Sequence, residues 1–121
     1  MNWFSKKSSF PWRHLDTNSS IEDILNQSKE IPQVIFKHST RCSISSMALS
    51  RFERDWDTNS NVQLYFLDLI EFRSISNEIA EILAIEHQSP QVILLMNGKV
   101  KYTASHNGID VYKILDLIKN T

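Results

Sequence analysis

Between Pro32 and His38 the chain runs Gln33-Val34-Ile35-Phe36-Lys37, with β-branched and aromatic side chains and no helical period. Such a run suits a central strand covered on both faces. It ends in the polar stretch His38-Ser39-Thr40-Arg41. From Ser43 onward Ile44, Met47, Ala48 and Phe52 share one helical face, while Arg51, Glu53 and Arg54 lie away from it, which predicts an amphipathic helix. Residues 61–67, Asn61 to Leu67, predict a second strand, and Ile75, Ile79, Ile82 and Leu83 a further amphipathic helix. Upstream, Ser19 stands at capping-box distance from Glu22, and Ile21, Ile24 and Leu25 follow at helical intervals, so a first helix is predicted over about residues 20–28.

The pattern changes after residue 90. Val92 to Met96 and Val100 to Thr103 are strand-like runs joined by Asn97-Gly98, a strong hairpin signal, and therefore predict an antiparallel pair. Val111, Ile114, Leu115 and Ile118 mark a last helix, with Asp110 before it and Lys119 in its final turn. Residues 1–14 show no clear period and predict a loose start with a short edge strand near Trp12. The order β-α-β-α-β-β-α with a helix in front predicts an α/β fold. It is a mixed four-stranded sheet flanked by helices, the thioredoxin arrangement.

The chain has 121 residues, of which 41% are hydrophobic and 22% charged, so it accommodates one compact domain over residues 1–121. With a formal charge of -1 and acids and bases interspersed, it lacks the basic field that grips a phosphate backbone. Nucleic acid is set aside as a partner. No apolar run reaches the length of a secretory signal or a membrane span, and a cytoplasmic location without membrane attachment is expected. The single cysteine cannot form an internal disulfide.

That cysteine, Cys42, falls at the predicted junction of strand and helix. A free thiol has a pKa near ~8.5 and reacts as its thiolate. The unpaired N–H groups and positive dipole end of a helix N-terminus favour the anion, and Lys37 and Arg41 are expected to add positive potential. A dithiol oxidoreductase has a second cysteine three residues on, where this chain has Ser45. Only one-thiol chemistry remains. Cys42 attacks a mixed disulfide, retains one half, and waits for an external thiol to release it. Ser45 is expected to hydrogen-bond the thiolate. A small buried hydrophobe is the commoner role for a lone cysteine, but the polar approach, strand end and helix start that converge here favour chemistry.

Ser89-Pro90 lies just before the Val92 strand, where proline opens a strand without breaking its ladder. An ordinary trans proline opening the strand is the commoner case, whereas in a thioredoxin fold a cis proline at this place lies beside the active cysteine. Ser89 would then present backbone groups to substrate. The four histidines form no pair at metal-ligand spacing, and no metal site is expected. His38, four residues before Cys42, is placed to tune the thiol, to contact an anionic ligand, or to pack the loop. Asp68 is placed to bind an amine or to cap the next segment. Trp12 and Trp56 are expected to pack.

The segment Phe36-Lys37-His38-Ser39-Thr40-Arg41-Cys42-Ser43-Ile44-Ser45-Ser46-Met47-Ala48-Leu49 resembles the YtxJ-like monothiol bacilliredoxins of Gram-positive bacteria. The resemblance runs from about Trp12 to the C-terminus, through Ser89-Pro90-Gln91, Asn97-Gly98-Lys99 and Ser105-His106. It implies a thioredoxin-like enzyme that removes bacillithiol from S-bacillithiolated cytoplasmic proteins. Bacillithiol serves as co-substrate, with no tightly bound cofactor. Cys42 is then the attacking sulfur, with Thr40, Arg41, Ser43 and Ser45 supporting it. Lys37, His38, Ser89 and Pro90 are the implied substrate-binding residues, and because bacillithiol carries a malate carboxylate and a glucosamine, a pocket of Lys37, Thr40, Arg41 and backbone N–H groups near Pro90 would suit it. Family members usually have proline after the cysteine, whereas this chain has Ser43, which leaves the start of the helix less constrained.

Two other functions fit the same residues. One is a glutaredoxin-like carrier that shares an iron–sulfur cluster between two chains. Ser43-Ile44-Ser45 departs from the Gly-Phe-Ser typical there, and a coloured protein after anaerobic reconstitution would favour it. The other is a non-catalytic module that grips peptides beside Ser89-Pro90, marked by client capture that survives Cys42→Ala.

Overall fold

A computed structural model describes residues 10–120. Its elements are β1 (Trp12–His14), α1 (Ile21–Gln27), β2 (Gln33–His38), α2 (Ser43–Asp55), β3 (Gln63–Asp68), α3 (Arg73–Leu83), β4 (Gln91–Met96), β5 (Lys99–Ser105) and α4 (Val111–Lys119). A single 3₁₀ turn, His106–Gly108, precedes α4. The sheet has five strands in the order β1-β3-β2-β4-β5, one more than the four expected. β2 and β3 run parallel, and β4 is antiparallel to both β2 and β5. The added strand is β1, parallel to β3 at the edge. At three residues it is too short to show a period, and it precedes α1, so the described chain opens on a strand rather than a helix. The rest of the predicted loose start, residues 1–9, lies outside the described residues.

Both central strands, β2 and β4, are buried along their whole length, which is why neither shows a two-residue alternation. The two faces of the sheet carry separate cores. On one, Val34, Phe36, Val92 and Leu94 pack against Ala48, Phe52 and Trp56 of the α2 region and Val111 and Ile114 of α4. On the other, Ile35, Ile93 and Leu95 meet Ile21 and Ile24 of α1 and Ile75, Ile79 and Leu83 of α3. Trp12 stacks on Phe52 at 5.4 Å between ring centroids and meets Phe36 edge-on at 5.9 Å. Its indole Nε1–H donates to Glu53 Oε2 at 2.6 Å. β1 is thereby fastened to α2 as well as to β3.

Two local signals act differently from their sequence spacing. The N-cap of α1 is Ser20, whose hydroxyl accepts from Asp23 N–H at 3.1 Å, while Ser19 Oγ accepts from Asp16 N–H at 3.0 Å. Adjacent serines offer the same hydroxyl, and only the backbone path decides which caps. The Asn97-Gly98 turn has φ of 57° and 78°, the left-handed pair a two-residue hairpin requires. Both of its N–H groups donate to Ser28, one to the carbonyl at 2.8 Å and one to the hydroxyl at 3.0 Å, so the turn is tied to the end of α1.

Candidate functional site

Cys42 is half-buried and forms the N-cap of the 13-residue α2, with φ -115° and ψ 120°. Its carbonyl opens the helix by accepting from Ser46 N–H at 3.1 Å. The N–H groups of Ser43, Ile44 and Ser45 stand in the first turn, where no helical acceptor exists. No side-chain hydrogen bond caps the helix, and among the described residues Cys42 Sγ has no hydrogen-bond partner.

The loop that carries Cys42 is fixed from beneath. Ser45 is fully buried, accepts from Ser39 N–H at 3.0 Å, and lies 2.7 Å from His38 Nδ1. Ser39 C=O in turn accepts from Cys42 N–H at 3.2 Å. With neutral His38 the chain of donors closes: Ser39 N–H to Ser45 Oγ, and Ser45 O–H to His38 Nδ1. Ser45 is therefore engaged inward, in place of the expected bond to the thiolate. His38, at 5% exposure, packs the loop and does not present itself to a ligand. Burial holds its pKa below the usual 6.5, partly offset by the Asp68 carboxylate and by Ser45.

Lys37 does not reach this site. Successive residues of a strand point to opposite faces, so while His38 faces α2, Lys37 points to the α1/α3 side. It is completely buried there, with Nζ 3.0 Å from His87 Nδ1. Ser76 Oγ lies 3.1 Å from the same nitrogen. Burial pushes the Lys37 amine down to about 8. His87 is held below 6.5 by burial and then by the charges of Lys37 and Arg73. Lys37 thus does not flank Cys42, the place expected for its positive potential. His87 and Ser76 carry no spacing in the sequence that pairs them with Lys37, since they arrive from α3 and the segment after it.

The Ser89–Pro90 bond is cis. Gln91, which follows, pairs with Lys37 in the ladder, so Ser89 and Pro90 stand at the end of the sheet from which the Cys42 loop departs. Pro90 is buried and its carbonyl accepts from His106 N–H at 3.0 Å. Ser89 Oγ is buried with no partner among the described residues. Asp68 caps its own turn: Oδ1 accepts from Ile70 N–H at 3.0 Å and Glu71 N–H at 3.4 Å.

Thr40, Arg41 and Ser43 are exposed around the thiol. Ile44 and Met47, expected on the core face of α2, are instead 53% and 67% exposed. The buried stripe runs through Ser45, Ala48 and Phe52, and the apolar character of Ile44 and Met47 is turned to solvent beside Cys42. The helical period is the same for either stripe, and a buried serine hid the true one.

The sequence matches the family profile described as monothiol bacilliredoxin BrxC over residues 13–114. Among solved structures, the fold is similar to a thioredoxin-fold protein provisionally assigned as an oxidoreductase, with 26% identity and a TM-score of 0.68 over 95% of this chain and 97% of that one. It is also similar to spinach chloroplast thioredoxin f, with 14% identity and a TM-score of 0.66 over 92% and 93% of the two chains. Schistosoma mansoni thioredoxin gives 20% identity and 0.64 over 90% and 94%.

Proposed function

We propose, for a chain that belongs to the monothiol bacilliredoxin family, that its thiol oxidoreductase chemistry removes bacillithiol from S-bacillithiolated client proteins through Cys42. The observation that carries this is the placement of the chain's only cysteine. It is half-buried at the N-cap of a long helix, with exposed polar residues around it and Ser89-Pro90 at the same end of the sheet.

In the first step the Cys42 thiolate attacks the bacillithiol sulfur of the mixed disulfide. A Cys42–bacillithiol disulfide forms, the client–bacillithiol S–S bond breaks, and the client leaves as a thiolate that takes a proton from solvent. The client cysteine is reduced and Cys42 is oxidised. Ser45 has no sulfur and is engaged with His38 and Ser39. Release of bacillithiol therefore needs an external thiol, which attacks the adduct, restores Cys42 and leaves as a disulfide with bacillithiol. Bacillithiol itself can supply that thiol. The client chain would lie along the backbone of Ser89 and Pro90, and Arg41 and Thr40 offer donors to the malate carboxylates.

The test uses a client protein carrying a bacillithiol disulfide, incubated with the purified chain and read by intact mass spectrometry, with Cys42→Ser beside it. The expected result is movement of the bacillithiol mass to the wild-type chain and none to the variant. An intact client beside unmodified Cys42 would overturn the proposal.

A further inference from the structure

We propose that the solvent face of α2 is a docking surface for an acidic client segment, so that this chain favours thiolated cysteines flanked by carboxylates and apolar residues. The inference rests on the thiol-transfer reading above and names the substrate class for that site.

Three of the four large hydrophobic side chains that stand exposed among the described residues, Ile44, Met47 and Ile70, belong to the Cys42 end of the sheet. Ile44 and Met47 lie on the first two turns of α2. Ile70 sits in the loop after β3, which is joined to the end of β2 by a hydrogen bond of 2.9 Å from Leu69 N–H to His38 C=O. From Met47 a groove of about 450 Å³ continues along the helix, lined by Ser46, Met47, Ser50, Arg51 and Arg54. The small serines open the groove, and methionine, with its flexible unbranched chain, adapts to varied apolar partners.

The charge along the α2 part of this face is predominantly positive. From Ser39 to Phe52 the sequence holds Arg41 and Arg51 and no acidic residue, and the partial positive charge of the helix N-terminus adds to them. Glu53 is turned to the Trp12 indole. Asp55 is paired with Arg54 at 2.9 Å and Arg51 acts on the same carboxylate, so two guanidinium groups face one acid along the groove. A segment with one or two carboxylates and an apolar side chain matches this lining in sign and character, and a basic segment is repelled by it.

The experiment uses two peptides, each with one cysteine carrying a bacillithiol disulfide, flanked by leucine and aspartate in one and by leucine and lysine in the other. The rate of adduct transfer to Cys42 is followed by mass spectrometry at low and high salt. The acidic peptide should react about tenfold faster, an advantage that shrinks with salt. Arg51→Glu should abolish or invert the preference while leaving the reaction of Cys42 with the uncharged probe 2,2′-dipyridyl disulfide unchanged. Equal rates for the two peptides would overturn the docking surface and leave the thiol-transfer reading intact. Absence of transfer from either peptide, with dipyridyl disulfide still reacting, would overturn both. Concentration-dependent dimerisation abolished by Arg51→Glu, with peptide preference unaltered, would overturn it by assigning the face to a second copy of the chain.

Discussion

Replacing Lys37 by methionine should stabilise the protein, although it removes a charged side chain and a hydrogen bond. The Lys37 amine is completely buried, no carboxylate among the described residues pairs with it, and burial alone lowers it from 10.5 to about 8. At ~1.4 kcal/mol per pH unit this gap amounts to about 3 kcal/mol of destabilisation whenever the amine is charged both folded and unfolded. Methionine matches the stem and carries no charge. The lost bond to His87 costs about 1 kcal/mol, and His87 Nδ1 keeps Ser76 as a neighbour at 3.1 Å. The net gain at pH 7 is therefore about 2 kcal/mol. The sign with pH follows from proton uptake. Between about 8 and 10.5 the unfolded chain holds a proton on this amine that the folded chain has lost, so wild-type stability rises with pH across that window and its deficit against the variant closes. Urea denaturation followed by tryptophan fluorescence at pH 7 and pH ~9.5 measures both points, and the difference should shrink to about zero at the second. A Lys37→Met variant less stable than wild type at pH 7, or an advantage independent of pH, would refute the reasoning. Adduct transfer by the same variant should stay within about twofold of wild type, because the amine lies across the sheet from α2 and an effect on rate above a few tenths of a kcal/mol has no route.

Ser45→Ala should destabilise by about 2 kcal/mol in the same denaturation assay, since it strips the hydroxyl from both His38 Nδ1 and Ser39 N–H. Adduct transfer should slow as well, because that hydroxyl fixes the Cys42 loop; unaltered stability would show the bond to be dispensable. His38 and His87 are both held below 6.5 by burial, so the unfolded chain takes up their protons first as the pH falls, and stability should decline from about 6.5 downward. His38→Gln should flatten part of that decline, and an unchanged slope would exclude His38 as its source.

The sequence by itself determined the succession of elements, the pairing sense of the strands and the position of Cys42, because each rests on local information. Periodicity over one helix, an unbroken β-branched run, an Asn97-Gly98 turn and a cysteine set between strand and helix are all readable within a dozen residues. β1 was legible only as a short strand near Trp12, and its place in the sheet was not, since three residues gain a strand's stability only from β3 and the rings of Phe36 and Phe52. The tertiary structure alone decided the surroundings of the thiol. Lys37 and His38 are neighbours in the chain, yet strand alternation sends one to His87 behind the sheet and the other to Ser45 beneath the thiol loop. Likewise Ile44 and Met47 share a helical stripe with Ala48, and only the rotation of α2 against the sheet turns them to solvent. A local pattern states that a face exists; which way it points is settled by the packing of elements distant in sequence.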